Sequence, residues 1–284
     1  MNNKPKLVVS FSGGRTSAYM LWFILNKSEY KNNYDIKVIF ANTGKETEKT
    51  LEFVRDCSIN FGIEIIWLES YPKTEKGWGV GANVVTFETA SRKGEPFELM
   101  ISKLGIPSSS APFCSFQLKR YAINAYLKTI GWGKCYVAIG IRADEIDRVN
   151  PNYLKLRILY PLINTNIKKS DIIKFWRNQT FDLKCHKDLG NCDGCWKKSA
   201  KTLVSIARQN QNVYNWWQDM TDKYGNLVPE GRVSLKEMKP PFNFYRGDLS
   251  PKDIKKLADL TGEQLELFTE NEKLDGCSES CEVF

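Results

Sequence analysis

A chain of 284 residues with 42% hydrophobic residues can bury a full core, so one large domain, or one domain with a small appendage, is expected and wholesale disorder is excluded. The formal charge of +8 suits an anionic partner, a phosphorylated or sulfated nucleotide or a nucleic acid, although a lysine-rich surface also serves solubility alone. The single histidine, His186, rules out a His-Glu-x-x-His zinc site, a Cys2His2 finger and a two-histidine proton relay.

The polar start Met1 to Lys6 and the short apolar run after it make no signal sequence, and no later run is long enough to span a bilayer; a cytoplasmic protein without a membrane segment is expected. Lys6 to Ser10 predicts a first strand, and Tyr19, Met20, Phe23 and Ile24 predict a helix over Ser17 to Asn26. Between them stands Ser10-Phe11-Ser12-Gly13-Gly14-Arg15-Thr16-Ser17. A strand, a glycine turn and a helix start in that order form an anion site, because the glycines let successive N–H groups point inward at the positive end of the helix. Ser12, Thr16 and Ser17 add hydroxyls and Arg15 a permanent charge. The spacing is neither Gly-x-x-x-x-Gly-Lys nor Gly-x-Gly-x-x-Gly.

Strands at Lys37 to Ala41 and Glu64 to Leu68, with a helix over Glu46 to Asn60, complete a βαβαβ pattern and predict a parallel sheet. Asn42, Thr43 and Gly44 close the second strand and so face the same crevice as the opening loop. Between Tyr71 and Pro112 the alternation breaks; an inserted lid and an ordinary long connection with one helix near Pro96 to Leu104 both fit. A helix over Phe116 to Leu127 and a buried strand over Cys135 to Ile141 follow. That strand runs into Gly140-Ile141-Arg142-Ala143-Asp144-Glu145-Ile146-Asp147-Arg148, and charge at the carboxyl end of a core strand marks a ligand crevice. Arg142 and Arg148 are candidate phosphate or sulfate contacts, with Glu145 positioning them. Helices are further expected over Ile172 to Gln179, from Ser199 through Trp216, and over Leu249 to Leu260, the last opened by Ser250-Pro251. A soft boundary near Asn164 separates a nucleotide-binding α/β part, 1–164, from a cysteine loop and helical C-terminal region with a polar tail, 165–284.

Eight cysteines in a reducing compartment argue for metal, cluster or redox chemistry rather than a disulfide framework. Cys192-Asp193-Gly194-Cys195 lets two thiolates reach one metal or cluster edge, and alone it fits zinc, a cluster or a redox dithiol. Cys57 and Cys135 fall in core patterns and are expected to be buried and inert. Cys277 and Cys281 lie in the polar tail.

The opening loop resembles the Ser-Gly-Gly-x-Asp-Ser signature of the PP-loop family, the ATP pyrophosphatases and their relatives the phosphoadenylyl-sulfate (PAPS or APS) reductases, with Thr16 where the pyrophosphatases carry Asp. Gly140-Ile141-Arg142 and Glu145 resemble the Gly-Ile-Arg-x-x-Glu motif of the reductases, whose arginine belongs to the nucleotide site. In the adenylyl-sulfate enzymes a Cys-Cys pair precedes a Cys-x-x-Cys and the four hold a [4Fe-4S] cluster. Here Cys114 is followed by Ser115, and Cys185 is the candidate replacement, giving Cys114, Cys185, Cys192 and Cys195 as the implied ligands, with zinc on the same four as the alternative. The reductases carry a catalytic cysteine in a C-terminal tail, which Cys281 or Cys277 would supply. The resemblance implies an α/β fold, a Rossmann-like parallel sheet with flanking helices of the adenine nucleotide α-hydrolase type, with a helical C-terminal region.

Three functions follow as expectations. The first is a reductase-family enzyme that binds ATP, APS or PAPS at Ser12 to Ser17 and performs sulfur transfer or reduction beside the cluster, a thioredoxin-like reductant or sulfur donor completing the cycle. The second adenylates a nucleobase or small molecule with ATP and replaces the activated oxygen with sulfur, the positive charge serving a tRNA or DNA substrate. The third is a non-catalytic, zinc-stapled nucleotide-binding module. A homodimer fits all three.

Overall fold

The computed structural model describes residues 4–27, 29–74, 79–109, 111–190, 192–229 and 239–265. Four parallel strands were within reach of the sequence pattern: β1 (Lys6–Phe11), β2 (Asp35–Asn42), β3 (Ile65–Pro72) and β5 (Tyr136–Ala138). Two more were not, β4 (Val80–Val85) and the two-residue β6 (Ile158–Leu159). The six pair in the order β4-β3-β2-β1-β5-β6. Every pairing is parallel except β3 with β4, where Tyr71 stands opposite Gly81. Gly81 is required there, since a Cβ would fall 2.1 Å from the Tyr71 ring. The chain therefore winds outward from β1 through β2 and β3, and returns to the other side of β1 with β5. The crevice between the carboxyl ends of β1 and β5 is the switch point at which α/β sheets of this Rossmann-like kind bind ligands.

Alternation along β1 sends Leu7, Val9 and Phe11 to one face and Val8 to the other. The first face is covered by α1 (Arg15–Asn26), α3 (Glu48–Phe61) and α7 (Lys169–Arg177), through Met20, Leu21 and Ile24, Leu51 and Val54, and Ile172 and Trp176. The second is covered by α5 (Tyr121–Thr129), whose Ile123 and Leu127 meet Val8, Ile39 and Leu68. The short helix α2 (Tyr30–Asn33) lies between α1 and β2, and α6 (Pro161–Asn164) leads from β6 to α7. A third cluster joins α4 (Glu95–Leu104) to α8 (Ala200–Gln209), α9 (Val213–Tyr224) and α10 (Pro251–Ala258) around Phe97, Tyr214, Trp217 and Phe244.

The structure decides several expectations, bearing out some and correcting others. The described part of the stretch between Tyr71 and Pro112 is a packed connection, for β4 extends the sheet and Phe97, Met100, Ile101 and Leu104 of α4 are buried. The helix expected from Phe116 begins as a π-helical turn, Ser115–Arg120. The helix expected through Trp216 breaks at 210–212, where the Asn210 side chain accepts from the Asn212 N–H at 3.0 Å and favours a turn over helix. Trp216 is half-buried, with Lys45 Nζ over its ring at 4.9 Å. Cys57 is fully buried, and burial pushes its thiol far above its usual range. Cys135 is half-buried, because it precedes β5 and lines a groove beside α5. No helix among the described residues is long and apolar enough to cross a membrane.

Candidate functional site

At the end of β1, Gly13 takes φ +78°, the left-handed region, and a Cβ there would lie 2.8 Å from Thr50 Cγ2. The turn points the chain into α1, whose start is capped by extended Gly14 with no side-chain hydrogen bond. Ser17 braces the loop from within: its hydroxyl donates to Gly14 O at 2.9 Å and accepts from Ser12 Oγ at 3.0 Å. Backbone N–H groups at the start of a helix carry partial positive charge, so the loop presents a positive end to the crevice. Gly13→Ala should cost roughly 1–3 kcal/mol of stability through backbone strain and the Thr50 contact, read as a lower urea midpoint at unchanged slope.

The Arg15 side chain leaves this surface. Its guanidinium forms a two-pronged pair with Asp182, at 2.7 Å for each contact, and donates to Leu183 O at 2.9 Å. The hydrogen bond with Asp182 raises the already high pKa of Arg15. The sequence-based expectation of a free charge at Arg15 is thus replaced by a tie between the anion loop and the segment leading to Cys185.

A cation is supplied instead from β5. Gly140 lets the strand end pass close to α1, for a Cβ there would sit 3.3 Å from Ser17 Cα. Two residues on, Arg142 is buried and its Nη1 donates to Thr16 Oγ1 at 3.2 Å. Arg142 also pairs with Asp144 at 3.1 Å and with Glu145 at 3.3 Å, and Glu145 pairs with Arg148. Glu145 accepts the Arg142 backbone N–H at 3.2 Å, fixing the short helix Ala143–Arg148. The opening loop and the Gly-Ile-Arg segment, separated by more than a hundred residues, therefore meet through Thr16 and Arg142.

The second loop is turned toward the cysteines. Asn42 donates to Glu69 at 2.6 Å and to Ser91 O at 2.9 Å, and Gly44 takes φ +80° where a Cβ would meet Ser91 Oγ at 2.6 Å. Buried Glu46 accepts the Thr43 N–H at 2.8 Å and the Thr43 hydroxyl at 2.8 Å. The same hydroxyl lies 3.2 Å from Cys192 Sγ, and Glu46 and Cys192 form an antiparallel backbone bridge. Sequence reading placed Glu46 inside a helix. The helix instead starts at Glu48, with Thr47 Oγ1 accepting from the Thr50 N–H, and the Thr-x-x-Thr spacing is a cap signal that frees Glu46 to face the cysteine loop.

Asp193, also passed over in the sequence, holds the Cys-x-x-Cys turn. It accepts from Gly194 N at 2.7 Å and Trp217 Nε1 at 2.8 Å and pairs with Lys45 at 3.2 Å. Burial raises its pKa against the opposing pull of Lys45 and Trp217. Gly194 is packed so closely under Trp217 that a Cβ would meet Nε1 at 2.3 Å.

Cys114, Cys192 and Cys195 line one small cavity with Lys119, Trp196 and Trp217. Trp196 Nε1 donates to Cys114 Sγ at 3.3 Å. Burial first, and the Glu46 carboxylate second, push the Cys192 thiol well above its usual range, while Lys119 and Thr43 act in the opposite direction. Cys185 is held apart from this cavity, 3.6 Å from Thr47 Oγ1, on the segment that Arg15 fastens through Asp182. Burial raises its pKa, with Thr47, Lys198 and Arg15 opposing. The expected set of four does not gather. Among the described residues no three histidine, cysteine or carboxylate side chains meet within reach of a single ion. Three thiols therefore share one cavity without converging on a single point. Cys277 and Cys281 lie outside the described residues.

Residues 6–148 match the Phosphoadenosine phosphosulfate reductase domain family. An uncharacterized nin region protein of Escherichia phage lambda, ORF290, is 32% identical over 286 residues, covering 98% of this chain and 94% of its own. An uncharacterized protein of Methanocaldococcus jannaschii is 33% identical over 102 residues, 35% of this chain and 20% of its own. Among solved structures, the U34-tRNA thiolase NcsA from Methanococcus maripaludis with its [4Fe-4S] cluster aligns with 82% of this chain and 76% of its own, at 18% identity and a TM-score of 0.40.

Proposed function

The chain belongs to the phosphoadenosine phosphosulfate reductase domain family, and we propose that it is an enzyme of adenine-nucleotide-dependent sulfur chemistry. The observation that carries this reading is the 3.2 Å contact of Thr43 with Cys192, which seats the cysteine cavity on the strand end next to the anion loop. In this reading the nucleotide's phosphate or sulfate lies on the N–H groups of Ser12, Gly13, Gly14, Arg15, Thr16 and Ser17, opposite Arg142. Glu145 and Arg148 orient Arg142, and Gly140 keeps that strand end close. Asn42, Thr43 and Gly44 shape the floor between the nucleotide and the thiols.

The donor set of Cys114, Cys192 and Cys195 suits a [4Fe-4S] cluster, which when bound would supply electron storage and a sulfur-binding surface next to the nucleotide. Lys119 offsets part of the negative charge of three thiolates. Thr43 and Glu46 fix the Cys192 side chain, and Trp196 and Trp217 exclude water.

With an adenylyl sulfate as substrate, the thiolate of Cys281 or Cys277 attacks the sulfate sulfur; an S–S bond forms, the S–O bond to phosphate breaks, and AMP or its 3′-phosphorylated form leaves with the electron pair. A thioredoxin-like dithiol then releases sulfite and becomes a disulfide, returning the cysteine. A second reading, ATP-dependent thiolation of a carbonyl oxygen on a nucleobase or small molecule, is favoured by one observation: three cavity thiols rather than four leave room for an incoming sulfur donor.

Anaerobically purified protein should carry iron and acid-labile sulfide, and release sulfite from APS or PAPS in the presence of a dithiol. Cys281→Ser or Cys277→Ser should abolish that release if the tail supplies the nucleophile. Pyrophosphate from ATP without sulfite would select the second reading, and zinc without iron and no turnover would overturn both.

A further inference from the structure

A second recess lies on the other side of the sheet from α1 and α7. It is a groove of about 750 Å³ running beside α5, walled by β4 on one flank and by Val137 and Leu156 on the other. Its polar lining is one-sided among the described residues: Lys73, Arg120 and Lys128 contribute cations, and none of the described lining residues is a carboxylate. A neighbouring shallow recess continues the same sign through Lys4, Lys6 and Lys134, with Lys128 shared by both. No salt bridge between described residues joins Lys73, Lys128 or Lys134 to a carboxylate, and Glu64 lies near enough to help burial raise the pKa of Tyr126.

The same groove is lined by Tyr71, Tyr121 and Tyr126. Tyr121 is 45% and Tyr71 36% exposed, so both rings are open to an occupant of the groove. The hydroxyl end of the Tyr71 ring packs over Gly81, where a Cβ would fall 2.1 Å from Cζ, so the glycine leaves the ring its place on the groove wall. Cations that follow a backbone, interleaved with exposed aromatic faces, are the two components of sequence-tolerant binding to single-stranded nucleic acid: phosphates meet the lysines and bases stack on the rings. An acidic polypeptide would use the cations and leave the rings idle. The groove's lining includes Arg120, the last residue of the π-helical turn that follows Cys114.

We infer that this groove binds a single strand of nucleic acid. The inference stands on charge and ring placement and does not depend on which sulfur reaction the enzyme performs. The full chain is titrated into a fluorescently labelled single-stranded RNA, and separately a DNA, of mixed sequence, with anisotropy read at about 50 and about 200 mM salt. Binding should be saturable and salt-dependent. Lys73→Glu with Lys128→Glu should weaken it at least about tenfold and lower the salt slope by about 2. Tyr121→Ala should weaken it about fivefold or more without changing the slope. Lys27→Glu with Lys174→Glu, an equal charge change on the exposed surface of α1 and α7, should leave both nearly unchanged. Thermal midpoints of all variants confirm folding. No saturable binding of either strand overturns the inference, as does an equal loss in the Lys27/Lys174 variant. Binding of polyglutamate as tight as that of the oligonucleotides, indifferent to Tyr121→Ala, would assign the groove to an acidic protein and overturn it too.

Discussion

Cys192→Ala should strip the iron from anaerobically purified protein and lower its nucleotide-dependent sulfur turnover by at least about a hundredfold, a loss at the upper end of what even a supporting group costs a metal site. Cys185→Ala should retain the iron. The contrast comes from where the two thiols stand. Cys192 is 8% exposed, shares its cavity with Cys114 and Cys195, and touches Thr43. Cys185 touches Thr47 outside that cavity. Without metal, burial and Glu46 keep the Cys192 thiol protonated, so metal must displace that proton, with Lys119 and Thr43 favouring the thiolate. Removing one buried sulfur costs the apo fold only about 1 kcal/mol, so loss of iron will not merely report unfolding, and far-ultraviolet circular dichroism checks this. Equal loss of iron from the Cys185 variant would show that four thiolates, not three, form the site.

The distinction between these cysteines was not legible in the sequence, and the reason is specific. Spacing alone offers Cys185 as freely as Cys114, since both precede the Cys-x-x-Cys. What separates them is the Arg15–Asp182 pair, which fixes the segment before Cys185 to the opening loop, and the Glu46–Cys192 bridge, whose partners lie 146 residues apart. Neither has a local signature. The opening loop was legible, because its signal is contiguous: an apolar run buried on both faces, two glycines, then helical periodicity. The meeting of that loop with the Gly-Ile-Arg segment was also within reach, since a right-handed βαβ winding puts β5 next to β1 and aligns their carboxyl ends. By contrast β4 is a short edge strand, Val-Gly-Ala-Asn-Val-Val, in a glycine-rich stretch; its antiparallel pairing is set by tertiary contact with β3 rather than by pattern. Local chemistry thus gave the anion loop in detail, while the sulfur side depends on contacts that only folding creates.

Arg142→Ala should weaken nucleotide binding roughly 10- to 100-fold, as expected for loss of a charged hydrogen-bonding group. Arg142 is the cation that reaches the anion loop from across the switch point, touching Thr16 while Glu145 holds it from behind. The substitution also leaves the buried Glu145 carboxylate with one partner fewer, a cost of about 3 kcal/mol at most because Arg148 still faces it. Affinity and stability can be separated. Adding Glu145→Gln to Arg142→Ala removes the buried charge, so the urea midpoint should recover while calorimetric affinity for a non-reacting ATP or PAPS analogue stays low. Arg142→Lys keeps a charge but cannot contact Thr16 and Glu145 with one planar fork, so its affinity should fall between wild type and Arg142→Ala. If the double variant regains affinity along with stability, Arg142 acts on the fold alone and the phosphate must be held elsewhere in the crevice.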